Sequence, residues 1–113
     1  MSTVTLPETD LTVASIVMYL YHYAITQAKS HRLVMSIARK EISAAGFENP
    51  SQAGAWEQFA YKPDTLVVVT AVPMSEGSTY VHVVATSTDE APAKHWAADL
   101  MARIRDSNAV LID

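Results

Sequence analysis

Residues 65–87 read TLVVVTAVPMSEGSTYVHVVATS, two β-rich runs separated by a short polar segment. Thr65–Val72 is dense in β-branched residues, a composition typical of a strand in the middle of a sheet. Pro73 has no amide N–H to continue a strand, and Ser75–Ser78 has the small and polar residues of a hairpin loop. Thr79–Ser87 then returns as a partner strand. The stretch therefore predicts an antiparallel hairpin.

Two segments with helical periodicity flank this hairpin. Ser30–Ala45 carries apolar residues at helical spacing, followed by Gly46 as a left-handed stop and Phe47 as the apolar contact that often comes next. Short polar and acidic residues at 88–90 favour the start of a second helix, whose apolar stripe continues to about Arg105. We therefore expect one helix before the hairpin in the sequence and one helix after it.

The remaining segments predict further strands. Val13–Ile25 is rich in isoleucine, valine and tyrosine and favours a strand. A helix that starts at Asp10 is the alternative, but it would be apolar all round, which suits a surface helix poorly. After a turn at residues 49–50, Ala55–Tyr61 alternates weakly and indicates another strand, and Ala109–Ile112 is a candidate closing edge strand.

The predicted order is β-α-β-β-β-α, with an optional last strand. It indicates an α+β, two-layer sandwich in which a mostly antiparallel sheet has two helices on one face, related to the ferredoxin-like pattern. The 113 residues are enough for a single domain, with residues 1–10 as a flexible N-terminal arm. Half of the residues are hydrophobic and only 18% are charged, which favours a compact fold over disorder.

Several kinds of chemistry are excluded by composition. The chain has no cysteine, so disulfides, thiolate metal sites and thiol catalysis are excluded. It has three glycines and no glycine-rich phosphate cradle, no G-x-S-x-G, no H-E-x-x-H and no EF-hand loop. We expect no metal site and no cofactor, and no pattern decides whether the protein is an enzyme.

Charge and the N-terminal sequence bear on location and partners. A net charge of −4 argues against binding to nucleic acid or to an anionic membrane. The N-terminus lacks the pattern of a signal peptide, and the longest apolar run is too short and too polar to cross a bilayer. We expect a cytoplasmic protein.

Residues 18–23 read MYLYHY and raise the question of which side chains share a face. Successive side chains of a strand point to opposite faces of the sheet. In strand 79–87 we expect the alternating small aliphatic residues to face the helices, which leaves the residues between them on the uncovered face. The same rule applied to the first strand turns Met18, Leu20 and His22 toward the helices and the alternate tyrosines away from them. The predicted interface or binding face consists of Tyr19, Tyr21, Tyr23, Tyr80 and His82. Phe59 or Tyr61 is a further candidate for this face.

Glu41 falls inside the apolar arc of the first predicted helix. A carboxylate turned toward a core is costly unless it is paired or protonated, and burial favours the protonated form that proton transfer uses. Glu41 and His82 are therefore the weak catalytic candidates. The alternative is that Glu41 lies near the helix end and reaches water.

Three functions fit these expectations. The first is a non-catalytic module that forms a homodimer, or binds a partner protein, through the tyrosine-rich face. The second is a cofactor-independent small-molecule-binding protein or enzyme of the dimeric ferredoxin-like type, with Glu41 and His82 as its acid/base groups. The third, a small acidic protein that holds an extended client as secretion chaperones do, is disfavoured because no second pair of strands is predicted before the last helix.

Overall fold

The computed structural model describes residues 17–110, apart from the side chain of Asn49. The described elements follow the order β-α-β-β-β-β-α. They are β1 (Tyr19–Gln27), α1 (His31–Ala44), β2 (Glu48–Ala53), β3 (Glu57–Lys62), β4 (Thr65–Pro73), β5 (Thr79–Ser87) and α2 (Glu90–Arg105). One turn of 3₁₀-helix, Ser75–Gly77, lies between β4 and β5.

The five strands of the described region form a single sheet with the spatial order β1-β5-β4-β3-β2. Every neighbouring pair is antiparallel. The predicted hairpin is confirmed, because β4 and β5 pair along their whole length, from Thr65 opposite Ser87 to Pro73 opposite Thr79. The α+β class, with two helices and an antiparallel sheet, is likewise confirmed.

Both ends of α1 follow from local sequence. Ser30 is the N-cap, and its side-chain oxygen accepts a hydrogen bond from the Leu33 amide at 3.2 Å. At the other end Gly46 adopts φ +89°, a conformation that a residue with a Cβ rarely takes. The amides of Gly46 and Phe47 donate back to carbonyl oxygens of the last turn, and the Phe47 side chain is buried.

Two sequence predictions need correction, and a third is not confirmed. Residues 49–50 are not a turn but part of β2, an edge strand, where a proline is tolerated; the register with β3 shifts between Glu48 and Ser51. Ala109 and Val110 are not in a strand, and the rest of that candidate lies outside the described residues, as do residues 1–16. The observed order, with four consecutive strands before α2, does not confirm a ferredoxin-like relation.

Both helices pack on one face of the sheet. Ala93 and Ala97 of α2 are fully buried, and their small side chains let this helix lie close to the strands. The sheet contributes Ala60, Val67, Val69, Ala71, Val81, Val83 and Ala85 to the core, and the helices contribute Val34, Met35, Ile37, Ala38, Ile42, Ala97, Leu100, Met101 and Ile104. One face of every central strand is therefore sealed by helix.

A cation between two aromatic rings connects β3 to the helical layer. The Lys62 ammonium lies 4.1 Å from the centre of the Trp96 ring and 5.0 Å from the centre of the Phe47 ring. The two rings also meet edge to face, with their centres 5.1 Å apart. The end of α1, β3 and α2 are thus held together at this point.

Candidate functional site: the open face of the sheet

The strand register defines the second face of the sheet, which we call the open face. Residues directly opposite each other on antiparallel strands project to the same side, so each row of paired residues belongs to one face. Both helices cover the rows that contain Val81, Val83 and Ala85. The rows of the open face are Leu20–Thr86–Leu66–Tyr61, His22–Val84–Val68–Phe59, Ala24–His82–Thr70–Glu57 and Thr26–Tyr80–Val72.

The open face is largely apolar and partly accessible to solvent. Its large exposed side chains are Leu20 (57% exposed), Tyr61 (62%), Leu66 (40%) and Tyr80 (38%). In the register of the described strands its acidic residues, Glu48 and Glu57, stand at the β2–β3 side, and it has no lysine or arginine. Leu20, Leu66 and Tyr61 share the row at one end of the face, and Tyr80 stands in the row at the other end. Exposed apolar groups that cluster in this way often mark a contact surface.

The placement of Tyr19, Tyr21 and Tyr23 on the open face is wrong. Tyr21 lies directly opposite Ala85 and Tyr23 opposite Val83, so the tyrosines of β1 share the helix-covered face. The prediction assumes that the larger side chains of a strand face away from the helices. This assumption fails for β1 because β1 is an edge strand, where a long side chain can lie beside α2 and extend its polar tip outward.

Tyr21 illustrates this arrangement. Its ring packs against the core, while its hydroxyl donates a hydrogen bond of 2.7 Å to the Glu90 carboxylate at the start of α2. This hydrogen bond, followed by burial and the negative charge of Glu90, raises the pKa of Tyr21. The contact holds the first turn of α2 to the edge strand.

Tyr80 and His82 lie on the open face, as predicted, and so do the candidates Phe59 and Tyr61. The placement of His22 against the helices is wrong, because it lies opposite Val84 on the open face. There its Nδ1 atom is 3.1 Å from the Nε2 atom of His82, with the ring centres 5.2 Å apart and the ring planes at 80°. The Tyr80 ring stacks loosely on His82, at 6.5 Å and 24°.

Glu41 and His82 are not brought together. Glu41 is half-buried on α1, which packs on the helix-covered side, whereas His82 points to the other side of the sheet. The sheet itself separates the two side chains. They do not form a common acid/base site in this chain.

A shallow depression of about 400 Å³ lies at the end of the open face near the β3–β4 turn. Its lining includes Met18, Tyr61, Leu66 and Thr86, which mix apolar and polar surface. A depression in an apolar face can accept one anchoring side chain from a partner surface.

Sequence reasoning missed Leu20, Leu66 and His22 as residues of the site. One signal is present in β4. Apart from Thr70, the run from Leu66 to Val72 is apolar on both faces of the strand, although the helices can cover only one face of the sheet. No comparable signal joins His22 to His82, because their contact depends on the register between strands sixty residues apart.

Within residues 17–110 no group of three or more histidine, aspartate or glutamate residues could hold a metal ion, and no helix is long and apolar enough to cross a bilayer.

Comparison with known proteins adds little to this geometry. No protein-family model matches the chain, and no curated protein sequence matches it. Among solved structures, the chain is similar to norcoclaurine synthase from Thalictrum flavum, at 9% identity and a TM-score of 0.46, over 95% of this chain and 98% of that one. We draw no functional conclusion from a likeness at this level.

Proposed function

We propose that this protein is a self-associating module, in which the open faces of two copies pack against each other. The observation that carries the proposal is the apolar surface formed by Leu20, Leu66, Tyr61 and Tyr80 on the face that the helices leave uncovered. Two sheets packed face to face bury such surfaces at a separation of about 10 Å. Burial of the apolar area is the driving force.

The size of the open face supports a second copy as its occupant. Five strands about 4.8 Å apart and six to nine residues long at about 3.3 Å per residue give roughly 600 Å² of flat area. Side-chain relief raises the accessible area above this value. Stable interfaces bury about 600–1,000 Å² on each partner, so the open face reaches the lower end of the range that one symmetric contact needs.

The charge pattern also supports self-association. The centre of the open face carries no lysine, arginine or acidic residue, whereas Glu48 and Glu57 stand at one side. The centre combines the apolar Val68 and Val84 with the polar Thr70 and His82, and protein interfaces commonly keep their fully charged residues at the rim. A face without a dominant charge can meet an identical face without like-charge repulsion, which a two-fold symmetric dimer requires.

The test is a charge placed on the open face. Leu66→Asp would bury an unpaired carboxylate on both copies, which costs several kcal/mol for each ion. Met74→Asp is the matched control, because Met74 is a similarly exposed apolar residue at the β4–β5 loop, outside the paired rows. Light scattering should give two chains for the wild type and for Met74→Asp, and one chain for Leu66→Asp.

Circular dichroism should show that both variants keep the fold, because each substituted side chain is exposed in the single chain. A wild type that stays a single chain at millimolar concentration contradicts the proposal. A folded Leu66→Asp variant that still contains two chains contradicts it equally.

The other functions receive less support. An enzyme that uses Glu41 and His82 together is not favoured, because the two residues lie on opposite sides of the sheet. A protein that holds an extended client is disfavoured by the sequence because no second pair of strands is predicted before the last helix. The four consecutive strands β2 to β5 remove that objection, but they do not favour an extended client over a second copy. The proposed dimer shares with dimeric ferredoxin-like proteins only the face-to-face packing of two sheets. The cytoplasmic location stays a prediction.

A further inference from the structure

His22 and His82 form a close pair on the open face. The two residues belong to neighbouring antiparallel strands, β1 and β5, and the Nδ1 atom of His22 lies 3.1 Å from the Nε2 atom of His82. In the neutral state one ring nitrogen donates a hydrogen bond to the other. Such a pair also offers two imidazole nitrogens to a single ion.

We infer that this pair chelates a divalent first-row transition-metal ion of the kind that imidazole prefers, Zn²⁺, Cu²⁺ or Ni²⁺. With metal–nitrogen bonds of about 2.05 Å, two nitrogens 3.1 Å apart subtend about 98° at the metal, between the ~90° of square-planar and the ~109° of tetrahedral coordination. In the hydrogen-bonded pair the N–H and the lone pair point along the line between the two nitrogens, so each ring has to turn by about 40° to direct a lone pair at one ion.

The surroundings of the pair favour a cation. The antiparallel register fixes both backbones, and the Tyr80 ring lies parallel to His82 with the ring centres 6.5 Å apart, which leaves the imidazole room to turn. Within the paired rows of the open face there is no lysine or arginine to repel an ion. In the single chain His22 is exposed and His82 half-buried, so an ion reaches the pair from solvent when no second copy covers the face.

The pair supplies two coordination positions from one chain. Glu57, in the same row as His82, stands two strands away, beyond the reach of a direct bond. Within the described residues no group of three metal-ligating side chains exists, so water or a covering copy completes the shell. Because both protein ligands come from one chain, the site does not depend on the proposed self-association.

Zinc titration of the full chain tests the inference, with the other two histidines as matched controls. His31 and His95 lie on α1 and α2, away from the open face. Loss of a direct ligand should weaken binding by at least the tenfold that loss of a supporting contact typically causes. His22→Gln and His82→Gln should each lower zinc affinity about tenfold or more, whereas His31→Gln and His95→Gln should leave it unchanged.

Nitrogen-15 NMR of the imidazoles gives a readout that does not depend on any variant. Saturating Zn²⁺ should shift Nδ1 of His22 and Nε2 of His82, because those are the atoms that face each other. Equal affinity in all four variants, or shifts confined to His31 and His95, or no shift at millimolar zinc, overturns the inference.

Discussion

The Lys62 contact makes a quantitative prediction about the stability of the fold. The ammonium is 4.1 Å from the Trp96 ring centre and 5.0 Å from the Phe47 ring centre. A cation over an aromatic ring contributes about 0.5–1 kcal/mol at an exposed site and ~2 kcal/mol when desolvated. Because Lys62 is half-buried between two rings, we expect Lys62→Gln to lower the free energy of unfolding by about 1–2 kcal/mol.

Urea denaturation followed by circular dichroism measures this loss. Lys94→Gln is the control, because Lys94 is exposed on α2 and an exposed substitution changes stability by about 0.5 kcal/mol or less. For a domain of this size, a loss of 1–2 kcal/mol corresponds to a fall of about 4–8 °C in Tm.

A double-mutant cycle isolates the contact itself. In a Trp96→Leu background the cost of Lys62→Gln should fall by about 1 kcal/mol, because the nearer ring is gone. Equal stability of Lys62→Gln and Lys94→Gln would refute the reasoning. So would a cost of Lys62→Gln that stays the same with and without the Trp96 ring.

Three further predictions follow from single contacts. Ser30→Ala should lower the free energy of unfolding by about 1 kcal/mol in urea, because the Leu33 amide loses its cap. Ile104→Ala, at a fully buried position, should lower it by about 2–5 kcal/mol in the same assay. Tyr21→Phe should be less stable than wild type at pH 8, since the raised pKa of Tyr21 means that its hydrogen bond to Glu90 stabilises the fold below the unfolded-state pKa. This gap should close as the pH rises above about 10; a gap that widens contradicts the assignment.

The helices and the central hairpin could be predicted from sequence because their signals are local. Ser30, Gly46 and Phe47 mark the ends of α1 by capping chemistry that acts within a few residues. β2, in contrast, reads ENPSQA and lacks strand-forming residues, and its extended conformation depends on pairing with β3. Strand preference of this kind is set by tertiary neighbours rather than by composition.

The open face could be predicted only in part, for a similar reason. The face of Tyr80 and His82 can be predicted because the residues that alternate with them in the middle of β5, Val81, Val83 and Ala85, are all aliphatic. In β1 both parities carry apolar or aromatic side chains, so the pattern alone does not choose a face. The register with β5 makes the choice, and a shift of one residue would exchange the two faces.

The central claim, that a second copy covers the open face, is tested most directly by isotope-filtered NMR on a mixture of ¹³C-labelled and unlabelled chains. Contacts between chains appear only at the surfaces that two copies share. We expect intermolecular contacts at four groups of methyls on the open face, those of Leu20, Leu66, Val68 and Val84. Intermolecular contacts confined to the helices, or none at millimolar protein, would contradict it.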